Sequence, residues 1–166
     1  TKDGTGAWKF LENRDSVLHG AISVKNGTLR FNTLAEKGQQ CALGSATILY
    51  EDYFGLRDPS KAVDWAWKLG GEETCGEMEY VGDKDVWTGG RAAVVDVGGG
   101  KLSSSGTGTL FGLLGGVKPL GGAETTLTIG GISTGTNEIG RLADGAGRLS
   151  LVKEDSGTWT LDGGND

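Results

Sequence analysis

The sequence predicts an all-β chain wound as a stack of short turns, a section of a one-dimensional repeat protein. Three observations predict it. The chain ends on the motif it began with. Lys2-Asp3-Gly4-Thr5-Gly6-Ala7-Trp8-Lys9-Phe10-Leu11 returns as Lys153-Glu154-Asp155-Ser156-Gly157-Thr158-Trp159-Thr160-Leu161-Asp162, with lysine, glycine, tryptophan and a large apolar residue in one register. A closed enzyme domain has no reason to restart at its own C-terminus, whereas a stacked array does. Glycine supplies 32 of 166 residues against 2 prolines, and its doublets and triplets (Gly70-Gly71, Gly98-Gly99-Gly100, Gly130-Gly131) sit at the edges of short apolar runs. Glycine takes positive φ without a steric penalty, so it marks sharp bends. Helical periodicity is nearly absent, and the runs are short and β-branched.

The expected strands follow in order. Ala7 to Leu11 alternates around Trp8 and Phe10. Val17 to Val24 and Thr28 to Asn32 flank Lys25-Asn26-Gly27. Thr47 to Tyr50, Trp65 to Leu69, Glu77 to Val81, Ala92 to Val97, Thr107 to Phe111, Thr125 to Ile129, Arg148 to Lys153 and Thr158 to Leu161 complete the set. Only Leu56 to Trp67 suits a short turn of helix, opened by Asp58-Pro59-Ser60. Around Asn26-Gly27 the pattern fits a two-residue hairpin. It also fits a corner between successive strands of a coil, which the repeat context favours. Residues 1–166 form one section, with 153–166 as the start of a further repeat. Trp8 and Trp159 are expected to pack equivalently.

Composition narrows the function. Glycine lacks the three-residue period of collagen. Net charge is −6 and the sequence pI about 4.8, which opposes nucleic acid and anionic lipid as partners. No stretch is long and apolar enough to insert in a bilayer. No signal peptide opens the chain, so an export signal would be removed or lie outside this section.

Residues 50–90 differ in texture and are expected to form a loop-rich elaboration of the stack. Acids and aromatics crowd there: Glu51, Asp52, Tyr53, Phe54, Asp58, Asp64, Trp65, Trp67, Glu72, Glu73, Glu77, Glu79, Tyr80, Asp83, Asp85 and Trp87. Glu72, Glu73, Glu77, Glu79, Asp83 and Asp85 are of the type that binds Ca²⁺. Trp65, Trp67 and Trp87 beside acids suit sugar stacking, and paired carboxylates serve glycoside hydrolysis. The ligand-binding candidates are therefore Trp65, Trp67, Glu72, Glu73, Glu77, Glu79 and Trp87, weighed against a plainer reading, a solvated acidic face over apolar anchors. No resident metal or cofactor is assigned. Cys41 and Cys75 have no zinc spacing. In an exported protein they can form a disulfide, and the alternative is two separate thiols.

Other motifs carry little. Gly131-Ile132-Ser133-Thr134-Gly135 matches Gly-x-Ser-x-Gly, but no buried strand precedes it and no helix follows. His19 stands alone without an orienting partner in view. Gly98-Gly99-Gly100 lacks the ending of a phosphate loop.

The repeated phrase resembles the passenger-associated transport repeat of bacterial autotransporters and related adhesin-like proteins. Ser156-Gly157-Thr158-Trp159-Thr160-Leu161 resembles its Gly-Thr-Trp-Thr-Leu phrase closely, and Gly6-Ala7-Trp8-Lys9-Phe10 does so loosely. Asn26-Gly27-Thr28-Leu29-Arg30-Phe31-Asn32 resembles the Gly-Thr-Leu phrase, and Ala42-Leu43-Gly44-Ser45-Ala46-Thr47-Ile48 the rung that follows. The order continues through Met78 to Gly82, Gly98 to Gly108, Thr125 to Gly130 and Gly145 to Leu151. Residues 50–76 and the two cysteines depart from it. The resemblance implies a right-handed parallel β-helix, a single-stranded solenoid in an extracellular, cell-surface protein of the outer membrane. At on the order of 20–25 residues per turn, the chain supplies roughly seven turns, a stack about 35 Å tall. The implied role is structural and adhesive rather than catalytic. The implied partners are adjoining repeats of the parent chain and a glycan or protein of a host or neighbouring cell, with open ends that allow head-to-tail self-association. A polysaccharide-binding or polysaccharide-cleaving β-helix and a self-assembling filament subunit are the alternatives.

Overall fold

The computed structural model describes residues 1–11, 18–47, 63–112 and 115–163. Among these residues fourteen strands run in chain order: β1 (Ala7–Phe10), β2 (Ile22–Val24), β3 (Gly27–Phe31), β4 (Trp67–Leu69), β5 (Gly76–Tyr80), β6 (Val86–Trp87), β7 (Ala93–Val95), β8 (Gly100–Ser104), β9 (Leu110–Gly112), β10 (Val117–Pro119), β11 (Thr125–Gly130), β12 (Thr136–Ile139), β13 (Leu149–Lys153) and β14 (Thr158–Leu161). They form three sheets: a first of order β1-β3-β5-β8-β11-β13, a second of order β10-β7-β4-β2, and a third of order β14-β12-β9-β6. Every strand pairing is parallel. The chain visits the second, first and third sheets in rotation, so each strand lies on its counterpart from the previous turn. Parallel bridges from Lys2 to Val24 and from Leu142 to Val117 extend the second sheet at both ends. The result is a parallel β-solenoid of about six turns, as the repeat character of the sequence predicts.

Strand alternation builds the core. In β5, Gly76, Met78 and Tyr80 are buried while Glu77 and Glu79 face out. Stacking then makes apolar columns. Leu29 lies on Met78, Met78 on Leu102 and Leu102 on Ile129. Val24, Leu69 and Val95 stack likewise in the second sheet. Phe31 joins the columns, its ring centroid 6.1 Å from Trp67 and 5.6 Å from Tyr80. A single turn cannot bury these side chains; successive turns cover one another, and each buried large side chain contributes roughly 1.5–3 kcal/mol.

Ile22 to Phe31 is a corner, not a hairpin: β2 and β3 belong to different sheets. Gly27 turns it at φ +72°. Directly above, a Cβ on Gly76 would fall on the Val24 carbonyl, so the corner closes only around glycine.

One expectation from length is corrected. There are about six turns rather than seven, because one turn is oversized. Thr28 bonds Glu77 from the adjacent rung although 49 residues separate them. The surplus lies between Phe31 and Trp67. Of the expected elaboration, residues 67–69, 76–80 and 86–87 run as ordinary rungs. Residues 48–62, which hold the expected strand end at Tyr50, most of the expected helical turn, and Glu51, Asp52, Tyr53, Phe54 and Asp58, lie outside the described residues, as does Val17.

Four strands escape the hydrophobic pattern: β6, β8, β10 and β12. The strand β8 opens on Gly100, which reads as a turn, and β10 ends on Pro119. In β12 the inward position is Asn137, fully buried. Its Oδ1 accepts from the Leu110 N–H at 3.0 Å, and its Nδ2 donates to the Thr158 carbonyl at 3.0 Å. The amide replaces an apolar contact with bonds to the rungs on both sides.

The equivalence of Trp8 and Trp159 fails. Trp8 lies in β1 of the first sheet and is 48% exposed, over Leu29 at the end of its column. Trp159 lies in β14 of the third sheet, half-buried against the core, with Nε1 donating to the Gly130 carbonyl at 2.9 Å. Lys153 to Leu161 therefore completes the last described turn and does not repeat Lys2 to Phe10 in phase.

Candidate functional site

Among the described residues, the carboxylates of the acidic stretch do not converge. Glu72 and Glu73 are exposed on the corner between β4 and β5, while Glu77 and Glu79 project from β5 on the outer face of the first sheet. There Glu77 is held from both sides: Oε2 accepts from the Thr28 hydroxyl at 2.8 Å and Oε1 from the Ser103 hydroxyl at 2.5 Å. Glu79 takes the Arg30 Nε–H at 2.6 Å, and that hydrogen bond, with the charge of Glu79, holds the guanidinium pKa above its ordinary value. Further along the face, Lys101 reaches Glu154 at 3.1 Å and Asp155 at 3.4 Å. These groups form polar staples between rungs, the sheet counterpart of cross-strand pairs. Asp85 accepts from the Thr109 hydroxyl at 2.6 Å and its N–H at 2.9 Å, which lowers the Asp85 pKa. Among the described residues no three of His, Cys, Asp or Glu gather to hold a metal ion.

The tryptophans part company. Trp67 is wholly buried beside Phe31 and has no face to offer a ligand, because its position in β4 points inward. Trp65 is also buried, and contributes to the wall of a cleft of about 280 Å³ that Asp64, Lys118 and Arg141 line as well. Lys118 pairs there with Asp64 at 2.7 Å. Of the three candidate tryptophans Trp87 alone faces solvent, 43% exposed on β6.

The possible disulfide is not formed. Cys41 and Cys75 are free thiols, the first buried and the second exposed. Burial and the neighbouring Glu77 raise the Cys75 pKa. Cys41 instead lies 3.6 Å from Arg91, a buried arginine that the sequence did not mark. Arg91 donates to the carbonyls of Ala35 at 2.7 Å and Gly44 at 2.7 Å, pinning the oversized turn to the stack. Burial lowers its pKa.

Gly131 to Gly135 is a corner between β11 and β12. Contrary to expectation a buried parallel strand, β11, does precede it, but strand β12 and not a helix follows. The buried Ser133 hydroxyl is occupied in donating to the Gly108 carbonyl at 3.3 Å, so the corner is not a nucleophile elbow. His19 is exposed, with Nδ1 3.0 Å from the Ser45 hydroxyl.

What remains open is the outer face of the third sheet. The register places Trp87 beside Phe111, Phe111 beside Glu138, and Glu138 beside Thr160. The Trp87 and Phe111 ring centroids are 6.5 Å apart, tilted by 38°. A second outward column places Thr136 beside Thr158. Glu138 and this pairing fell outside the sequence-derived candidates because strand β12 was not legible, and Phe111, although in an expected strand, because it lies beyond residues 50–90. The aromatic at 111 follows the aromatic at 87 one turn later, and that spacing was the available signal.

No family model matches the chain, and no solved structure matches it. The chain is similar to an adhesin, the BmaC autotransporter of Brucella suis biovar 1 (strain 1330), at 30% identity over 162 residues. The match covers 95% of this chain but only 4% of that much longer protein.

Proposed function

We propose that this chain is a structural and adhesive section of an exported bacterial cell-surface protein, in which stacked turns make a stiff spacer and the outward side chains make contact. One observation carries the proposal: a parallel solenoid along which nearly the whole chain is similar to a stretch of an autotransporter adhesin. A solenoid is suited to that work. Backbone ladders along three sheets resist bending, and the outer face tolerates substitution because the core depends only on inward positions. The reaction chemistry of an enzyme is not part of this role.

The test is localisation with adhesion. Antibody raised against this chain should label intact cells without permeabilisation, and external protease should remove the signal. Deleting whole turns in frame should reduce cell attachment while the rest of the parent protein still reaches the surface. Labelling that appears only after lysis, or attachment unchanged by the deletion, overturns the proposal.

A second reading, polysaccharide cleavage, draws on the outer face of the first sheet, where Arg30, Glu77, Glu79 and Lys101 share neighbouring rungs. Both Glu77 oxygens already accept hydroxyls, which works against proton transfer to a substrate. Release of reducing ends from uronate polymers, abolished in Glu77→Gln, is the result that would favour it.

A further inference from the structure

We infer that the outer face of the third sheet is a binding platform for a neutral glycan, lying along the stack axis across Trp87, Phe111 and Glu138. The inference rests on the adhesive role above and names the ligand class. Three features of this face point the same way.

The first is stacking surface. Trp87 and Phe111 lie side by side on consecutive rungs, Trp87 substantially exposed and Phe111 partly so. Large aromatic side chains are normally buried, and a pair of them aligned outward is unusual for a surface that only faces water. Rungs repeat at about 4.8 Å, close to the length of one sugar unit in an extended chain. Successive rings can therefore meet successive sugars through their apolar C–H faces.

The second is hydrogen bonding beside that surface. Glu138 continues the aromatic column on the following rung and Thr160 follows it. Thr136 and Thr158 form a parallel column two positions earlier in the strands. Carboxylate and hydroxyl groups at fixed spacing match the donors and acceptors of sugar hydroxyls. They stand on paired strands, so they are positioned before the ligand arrives.

The third is charge. Strands β6, β9, β12 and β14 carry Val-Trp, Leu-Phe-Gly, Thr-Asn-Glu-Ile and Thr-Trp-Thr-Leu, with no lysine or arginine. Asp85 and Glu138 give the face a negative sign, and the chain carries a net charge of −6. A uronate or sulfated polymer would be repelled, whereas an uncharged one would not.

Affinity electrophoresis in gels containing hydroxyethyl cellulose or polygalacturonate tests the inference, with intrinsic fluorescence titration against cello-oligosaccharides as the solution measurement. The native chain should be retarded by the neutral polymer and not by the uronate, with a shift of tryptophan emission on binding. Trp87→Ala and Phe111→Ala should each weaken binding at least tenfold, and Glu138→Gln should weaken it less. Trp8→Ala removes an exposed tryptophan on another sheet and should leave binding unchanged. Trp87→Phe, which retains a ring, should recover part of the affinity and guards against loss through misfolding, as does an unchanged melting curve. Stronger retardation by polygalacturonate, binding insensitive to both aromatic substitutions, or no retardation by the neutral polymer overturns the inference. Such a result leaves the surface-adhesin role standing if intact-cell labelling succeeds, with a protein as the contact instead.

Discussion

Gly4 and Asp155 occupy the same backbone position in two different corners of the solenoid. Gly4 has φ +84° and Asp155 φ +58°, each two residues after a lysine. Lys2 Nζ donates to the Asp3 and Gly4 carbonyls, and Lys153 Nζ to the Glu154 and Asp155 carbonyls. One corner leads from the second sheet to the first, the other from the first to the third. The shared motif is thus a way of turning, a lysine clasping the carbonyls of a left-handed bend, and not the period of the stack.

Asp155 should accordingly tolerate asparagine and reject valine. Asparagine adopts positive φ readily and keeps an oxygen for the Gly131 N–H, 3.0 Å away. A β-branched residue is an outlier there. The expected outcome is a melting temperature near native for Asp155→Asn and about 2–4 °C lower, or more, for Asp155→Val, read by circular dichroism.

Asn137→Leu fits the apolar pattern of β12 better than the native residue and should still destabilise. The Leu110 N–H and the Thr158 carbonyl would lose their partner inside the core. Two unsatisfied groups cost about 2–6 kcal/mol together, measured by urea denaturation. Asn137→Asp should also fail, because it removes the donor and buries a charge.

Trp67 divides shape from polarity. Its Nε1 has no hydrogen-bond partner although it is buried. Trp67→Phe therefore forfeits packing only and should cost about 1–3 kcal/mol. Trp67→Ala empties the space beside Phe31 and should cost about 3–5 kcal/mol. Comparable losses for the two variants would contradict a packing role.

Alkaline pH should loosen the fold through Tyr80. Burial is the main cause that pushes its pKa from 10.0 up to about 12, and the negative charges of Asp83 and Asp85 act in the same direction. A raised folded-state value means that the contribution is complete below pH 10 and is lost as pH climbs from there towards 12. Urea midpoints should fall across that window. In Tyr80→Phe, which has no phenol to ionise, the fall should be shallower.

Much of the architecture was legible because it depends on short-range rules. Alternation in Gly76 to Tyr80 separates Met78 and Tyr80 from Glu77 and Glu79 without reference to any other strand. The choice of a corner at Lys25-Asn26-Gly27 also followed from sequence. The candidate site was legible only in part. Trp87 was named, but its neighbours Phe111 and Glu138 come from later turns, and the buried Asn137 disguised the strand that holds Glu138. Trp65 and Trp67 were named for the outside and lie within.

By itself, then, the sequence determined an all-β stack: glycine set the bends, and period-two alternation set what each strand buries. Tertiary structure alone decided which residues stand side by side on successive turns. It put the two lysine motifs at different corners, gave Glu77 its partners Thr28 and Ser103, and aligned Trp87 with Phe111. The physical reason is that φ preference and alternation act within a few residues. Parallel register is set instead by contacts a full turn away, and one such turn takes 49 residues where others take 24.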